Sequence, residues 1–193
     1  MNFYMRISDL YETAHVPKYI RDWYLQRGFN HIATGDSADV YKKGNTIFKV
    51  YGTDVNGAGE GADQKMVSLF VSYCKKHSNN PYLPRFGEMK YIDKEKQYLE
   101  IQTELLTPGG ELADALSDYY MYNNWPAEQK HADAAYDKIS KTMTDGELEK
   151  FLITLNHLAR LGGRKIYNPD INGNNIMMRG NTPVINDPWT LGF

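Results

Sequence analysis

NPDINGNNIMMRGNTPVINDPW, residues 168–189, sets two aspartates and an asparagine around two short apolar runs. Asp170 and Asn175 stand five positions apart, Ile176-Met177-Met178 and Pro183-Val184-Ile185 follow, and Asp187 comes after the second run. The runs read as the paired strands of a hairpin. Two short strands can hold polar side chains rigidly, as catalysis requires. Asn168, Asn172, Gly173, Asn174 and Asn175 are also turn formers, and Asp187 can open an Asx-type turn before Pro188. The rest of the chain has to decide between a site and a set of turns.

With 193 residues, 41% of them hydrophobic and 13% aromatic, the chain can bury a core and make one domain of two lobes. A formal charge of -2 gives no general attraction to nucleic acid or acidic membranes, and neither is an expected partner. The single cysteine, Cys74, excludes an intrachain disulfide framework and suits a reducing compartment. Asp9, Glu12 and Asp22 interrupt the N-terminal region, so neither a signal peptide nor a membrane span is expected, and a cytoplasmic location is. The histidines at 15, 31, 77, 131 and 157 have no ligand-like spacing with each other or with Cys74, so no structural zinc site is expected. His157 is expected at the edge of the core, partly buried.

Pro17 marks a helix start, Val16, Tyr19, Ile20, Trp23 and Tyr24 recur at helical spacing, and Gly28 is placed to end that helix. Strands are expected over Phe29–Thr34, Asp39–Lys43 and Thr46–Tyr51, then a helix over Asp63–His77 with the stripe Met66, Val67, Phe70, Tyr73 and Cys74. Two more strands fit Arg85–Ile92 and Gln97–Leu106. Thr107-Pro108-Gly109-Gly110 then divides a strand-rich N-terminal lobe, 1–106, from a helical one, 107–193. In the second lobe Glu111–Tyr122 reads as helix and Asn123–Ala127 as loop. Thr144 and Glu147 form a capping box for a helix over Asp145–Leu161 that turns Leu148, Phe151, Leu152, Leu155, Leu158 and Ala159 inward.

Phosphoryl transfer needs close backbone over phosphates, a cation on the non-transferring oxygens, metal ligands, and a carboxylate near the attacking hydroxyl. ATGDSADVY, residues 33–41, can lay N–H groups over phosphates because Gly35 permits close approach, though a plain hairpin turn has the same composition. IFKVY, residues 47–51, sets Lys49 between apolar neighbours, which an edge lysine with its amine in water would also do.

Taken in chain order, a glycine loop, a strand lysine, a helix, TELLTPGGEL at residues 103–112, a long helix, Asp170-x-x-x-x-Asn175, a hairpin and Asp187 resemble the protein kinase-like fold. GFNHIATGDSADVY and NNIMMRGNTPVINDPW are similar to the early serine/threonine protein kinases of T-seven-type short-tailed phages, over about residues 17–193. The resemblance implies an α+β, two-lobe fold: an antiparallel N-terminal sheet with one helix and a minimal helical C-terminal lobe. It implies an ATP- and Mg²⁺-dependent serine/threonine protein kinase acting on host proteins in the host cytoplasm to redirect host processes or defence. In that frame Gly35, Asp36, Ser37 and Val40 cover the nucleotide, and backbone groups of Glu104, Leu105 and Leu106 receive adenine. Lys49 meets the α- and β-phosphates, Asp170 orients or deprotonates the acceptor hydroxyl, and Asn175 and Asp187 hold Mg²⁺.

Departures from the family pattern widen the choice of function. Ala33 and Ala38 replace the outer glycines of the phosphate loop, Asn168-Pro169-Asp170 stands for His-Arg-Asp, and Asp187-Pro188-Trp189 for Asp-Phe-Gly. Glu60, Asp63 and Gln64 are all candidates to pair with Lys49. Phe193 follows Asp187 by six residues, so the usual peptide-binding helices are expected to be missing. The aromatic run from Tyr119 to Trp125 offers either packing or peptide contact. A small-molecule phosphotransferase, or a pseudokinase that binds and inhibits a host protein, are the alternatives.

Overall fold

The computed structural model describes residues 16–34, 38–52, 64–93, 98–123, 126–162, 167–169, 173, 175–186 and 189–191. The chain divides into two compact units: Met1–Lys76 with Arg85–Leu105, and His77–Pro84 with Leu106–Phe193. The architecture is α+β, with a five-stranded antiparallel sheet and two helices in the first unit and helices with short strand pairs in the second.

In the first unit, α1 (Lys18–Gln26) follows Pro17, whose fixed φ suits a helix start and whose carbonyl accepts the N–H groups of Ile20 and Arg21. It ends in a Schellman motif. Gly28, at φ 77, donates its N–H to Leu25 O at 3.0 Å, and Phe29 donates to Tyr24 O at 3.2 Å. Five antiparallel strands follow: β1 (Asn30–Thr34), β2 (Ala38–Lys43), β3 (Thr46–Gly52), β4 (Phe86–Tyr91) and β5 (Tyr98–Glu104). Their spatial order is β1-β2-β3-β5-β4, and α2 (Gln64–Lys76) lies between β3 and β4 in the chain.

The pleat sends alternate residues to opposite faces. Tyr41, Val50 and Tyr98 pack with Val16, Ile20 and Tyr24 from the region of α1. Ala38, Tyr51, Leu99 and Ile101 pack with Val71 of α2 on the other side. Each expected strand and helix of this unit is present, with ends shifted by a residue or two.

The second unit contains β6 (Thr107–Pro108), α3 (Gly110–Tyr122), a 3-10 turn (Pro126–Glu128), α4 (Gln129–Ile139), α5 (Asp145–Gly162), β7 (Tyr167–Pro169), β8 (Ile176–Arg179), β9 (Thr182–Ile185) and β10 (Trp189–Leu191). The Thr144–Glu147 capping box closes as expected: the Thr144 N–H donates to Glu147 Oε2 at 2.8 Å, and the Glu147 N–H to Thr144 Oγ1 at 3.3 Å. Leu148, Phe151, Leu155 and Leu158 are buried along α5.

Strands β7 and β10 were not expected, and three further features depart from the sequence-based expectations. Helix α4 was not anticipated because its buried positions are Ala132, Ala135 and Ile139, a stripe too small to stand out among polar neighbours; the short side chains let it pack on α3. Thr107-Pro108 is a two-residue strand paired with Met178 and Met177, as well as a break. His157 is exposed and not at the core edge, because Leu155 and Leu158 take the inward positions beside it. Tyr119 and Tyr122 turn to α4, with ring centroids 6.0 Å from Tyr136 and 5.4 Å from His131; Asn124 and Trp125 lie outside the described residues. Among the described residues no helix is long and apolar enough to cross a membrane.

Candidate functional site

Lys49 and Val40 are direct cross-strand partners on β3 and β2. Lys49 also faces Ile101 of β5, so both share the sheet face that carries Ile101, Leu99 and α2. Each is half-buried. An ammonium there is held by a central strand with neighbours on both sides, which limits where it can swing. Among the described residues Lys49 makes no ion pair; Glu60 and Asp63 lie outside them, as does the side chain of Gln64.

Gly35, Asp36 and Ser37 also lie outside the described residues, but the strands that launch their turn are defined. Thr34 pairs with Asp39, and its hydroxyl donates to Asp39 Oδ1 at 2.8 Å. His31 Nε2 stands 3.2 Å from the same hydroxyl and 3.8 Å from Asp39 Oδ1. Asp39 is fully buried, and its Oδ2 has no hydrogen-bond partner among the described residues. The sequence counted Asp39 only as the first residue of a strand. Its alternation with Tyr41, both on the face away from Lys49, was the available signal.

On that face the buried Tyr24 hydroxyl donates to the buried carboxylate of Glu100, which also receives Lys90 Nζ at 3.2 Å. Burial pushes the Tyr24 phenol up, and the bond and charge of Glu100 push it further. Burial pulls the Lys90 ammonium down, but its hydrogen bond to Glu100 and the charges of Glu100 and Glu88 leave it raised.

Glu104 closes β5. Its N–H donates to Arg85 O at 3.2 Å, and its Oε1 accepts the Arg85 N–H at 2.7 Å. The Glu104 donor is thus engaged within the sheet. The division between the two units falls between Leu105, which is exposed, and Leu106, which is buried.

The second unit carries the residues of the opening motif. Strands β8 and β9 form the expected hairpin around Gly180 at φ 61, a two-residue turn that needs a residue free of a Cβ. Ile176, Val184 and Ile185 are fully buried in it. The Asn186 N–H donates to Asn175 O at 2.8 Å, so the pair extends past the strands and sets the half-buried Asn175 beside the residue before Asp187.

A second pairing brackets the same segments. Strand β7 runs antiparallel to β10, with Pro169 opposite Trp189 and Asn168 opposite Thr190. Asp170 and Asp187 themselves lie outside the described residues. Described residues on either side of them are nonetheless joined, Pro169 by strand pairing with Trp189 and Asn175 by the backbone bond from Asn186. Amide and carboxylate oxygens are the donors a hard dication takes, and the carboxamide of Asn175 fits that set. Among the described residues no three His, Cys, Asp or Glu side chains gather as a metal cluster.

No protein-family model and no curated protein match this chain. Solved structures similar to it include a streptomycin–ATP–APH(2")-IIa ternary complex and a gentamicin–APH(2")-IIa complex. Each has 13% identity and a TM-score of 0.31, and covers 92% of this chain and 72% of the other.

Proposed function

We propose that this chain is an ATP-dependent phosphotransferase that moves the terminal phosphoryl group of ATP to a hydroxyl of a small-molecule acceptor. The observation that carries this is the double bracket around the motif, with Asn175 beside Asn186 and Pro169 opposite Trp189, which draws together the chain on either side of Asp170 and Asp187. Lys49, on the face shared with α2, supports it from the first unit.

In this reading Asp170 takes the proton of the acceptor hydroxyl as its oxygen bonds the γ-phosphorus and the bond to the ADP oxygen breaks. Asn175 and Asp187 would hold Mg²⁺, which neutralises phosphate charge when bound. Lys49 would meet the α- and β-phosphates as a compact cation, and Gly35, Asp36, Ser37 and Val40 would cover the nucleotide. Adenine would meet backbone groups near Glu104 and Leu106.

A small-molecule acceptor is preferred over a host protein because Pro169 stands where protein kinases carry an arginine before the catalytic aspartate. Proline brings no cation to receive a phosphorylated activation segment. Serine/threonine protein kinase activity on host proteins, and inhibition without transfer, are the competing readings.

Transfer of labelled γ-phosphate from Mg·ATP, with separate small-molecule and protein fractions of a cell extract, tests all three. Label in acid-soluble product with wild type, lost in Asp170→Ala and Asp187→Ala, supports the proposal. Label on protein serine or threonine moves the acceptor class to proteins. Nucleotide binding without any transfer leaves the inhibitor.

A further inference from the structure

The segment His77–Pro84 enters from α2 and returns to β4, yet belongs to the second unit. Three successive carbonyls in it take donors from the β8–β9 hairpin. Arg179 Nη1 donates to Pro81 O, the Ile185 N–H to Tyr82 O, and Arg179 Nη2 to Leu83 O, each at 2.9 Å. The same segment is tied to α5. Asn80 Oδ1 accepts the Tyr82 N–H at 3.0 Å, Asn80 Nδ2 donates to the buried Thr154 hydroxyl at 2.9 Å, and the Tyr82 ring meets Phe151 edge-on at 5.6 Å.

A planar guanidinium can serve two carbonyls with fixed geometry, whereas an ammonium is a point donor on a flexible stem. Arg179 therefore does more than decorate a hairpin: together with Ile185 it fastens both strands to a segment that α5 already holds.

We infer that Arg179 is a positioning residue, clamping the hairpin to residues 81–83 so that Asn175 at its start is held where it would take Mg²⁺. The metal part rests on the phosphotransfer reading; the clamp does not. Arg179 touches neither substrate nor metal in this role and acts through the hairpin.

The test compares wild type, Arg179→Ala and Arg179→Lys by amide hydrogen exchange and by calorimetric ATP binding with and without Mg²⁺. In Arg179→Ala the Ile185 and Asn186 amides should exchange about tenfold faster or more while the core amides of α5 hold, as for loss of a charge-assisted bond pair. The Mg²⁺-dependent gain in ATP affinity should fall about tenfold, with metal-free ATP binding within about twofold of wild type, and lysine should restore only part of the gain. Should Arg179→Ala fail to fold, Arg179→Lys carries the comparison alone. Unchanged exchange at Ile185 and Asn186 overturns the clamp. Faster exchange with an unchanged Mg²⁺ gain overturns the metal positioning. Wild type that binds no nucleotide removes the phosphotransfer reading and the metal part with it, while exchange still decides the clamp.

Discussion

Tyr24 and Glu100, 76 residues apart in the chain, meet through one buried hydrogen bond on the α1 side of the sheet. A carboxylate in that place is tolerated because it has partners, the Tyr24 hydroxyl and the Lys90 ammonium. Tyr24→Phe removes a donor and leaves the charge, so it should destabilise the protein by about 1–3 kcal/mol in urea unfolding. The double change Tyr24→Phe with Glu100→Gln should recover part of that loss, because the neutral amide costs less to bury. Asp39 is the opposite case, a buried carboxylate with one donor and one oxygen unpartnered among the described residues. Neither pairing was legible beforehand. Glu100 and Asp39 sit in strands of ordinary alternation, and their burial follows from α1 covering a face that composition does not mark.

Helix ends and tight turns were the most legible elements, since their chemistry is local. Gly28, Gly44 and Gly180 hold φ values of 77, 59 and 61 where a helix end and two hairpin turns require them. The capping box at Thr144 belongs to the same class. Thr144→Ala should cost about 1 kcal/mol, read by thermal melting. The backbone and side-chain bonds of Thr144 hold the Glu147 carboxyl below its usual range. Because its folded value is depressed, the stability it adds is present above the unfolded value near 4.5 and is lost as pH falls below it, so α5 should loosen in acid and Glu147→Gln should flatten that response.

Two further glycines test packing between elements. A Cβ on Gly109 would strike the Ala113 side chain and stand 2.5 Å from Ile176 O, so Gly109→Ala should displace β8 and cost about 1–3 kcal/mol in unfolding experiments. At Gly173 the atom met is the free end of the exposed Asp114 side chain, which can swing, so Gly173→Ala should be far better tolerated. Helix α4 shows the limit of periodicity, because alanines carry its buried face.

Across the molecule, burial raises the phenols of Tyr24, Tyr41, Tyr73, Tyr82 and Tyr98, with Tyr41 pushed up to about 12. The folded state then keeps protons that the unfolded chain gives up near pH 10, so stability is complete below that pH and falls as pH climbs toward 12. Alkaline unfolding followed by tyrosinate absorbance should show phenol ionisation coinciding with loss of structure; full ionisation of the native protein near pH 10 would contradict the burial of these rings. Cys74 is buried in α2, with burial pushing its thiol up, and should react with thiol reagents only as the first unit opens.

From its sequence alone this chain determined the helices and strands of the first unit, the ends of α1 and α5, the hairpin after Asn175 and the candidates Lys49, Asp170, Asn175 and Asp187. Those features depend on residue type and short spacing, which local sterics and hydrogen bonding translate directly. Tertiary structure alone decided that Pro169 lies opposite Trp189, that Asp39 is buried away from Lys49, and that Arg179 is bound to residues 81 and 83. Each of these joins or buries residues through distant parts of the chain, and pairing of that kind is selected by the packing of the whole unit rather than by any neighbouring residue.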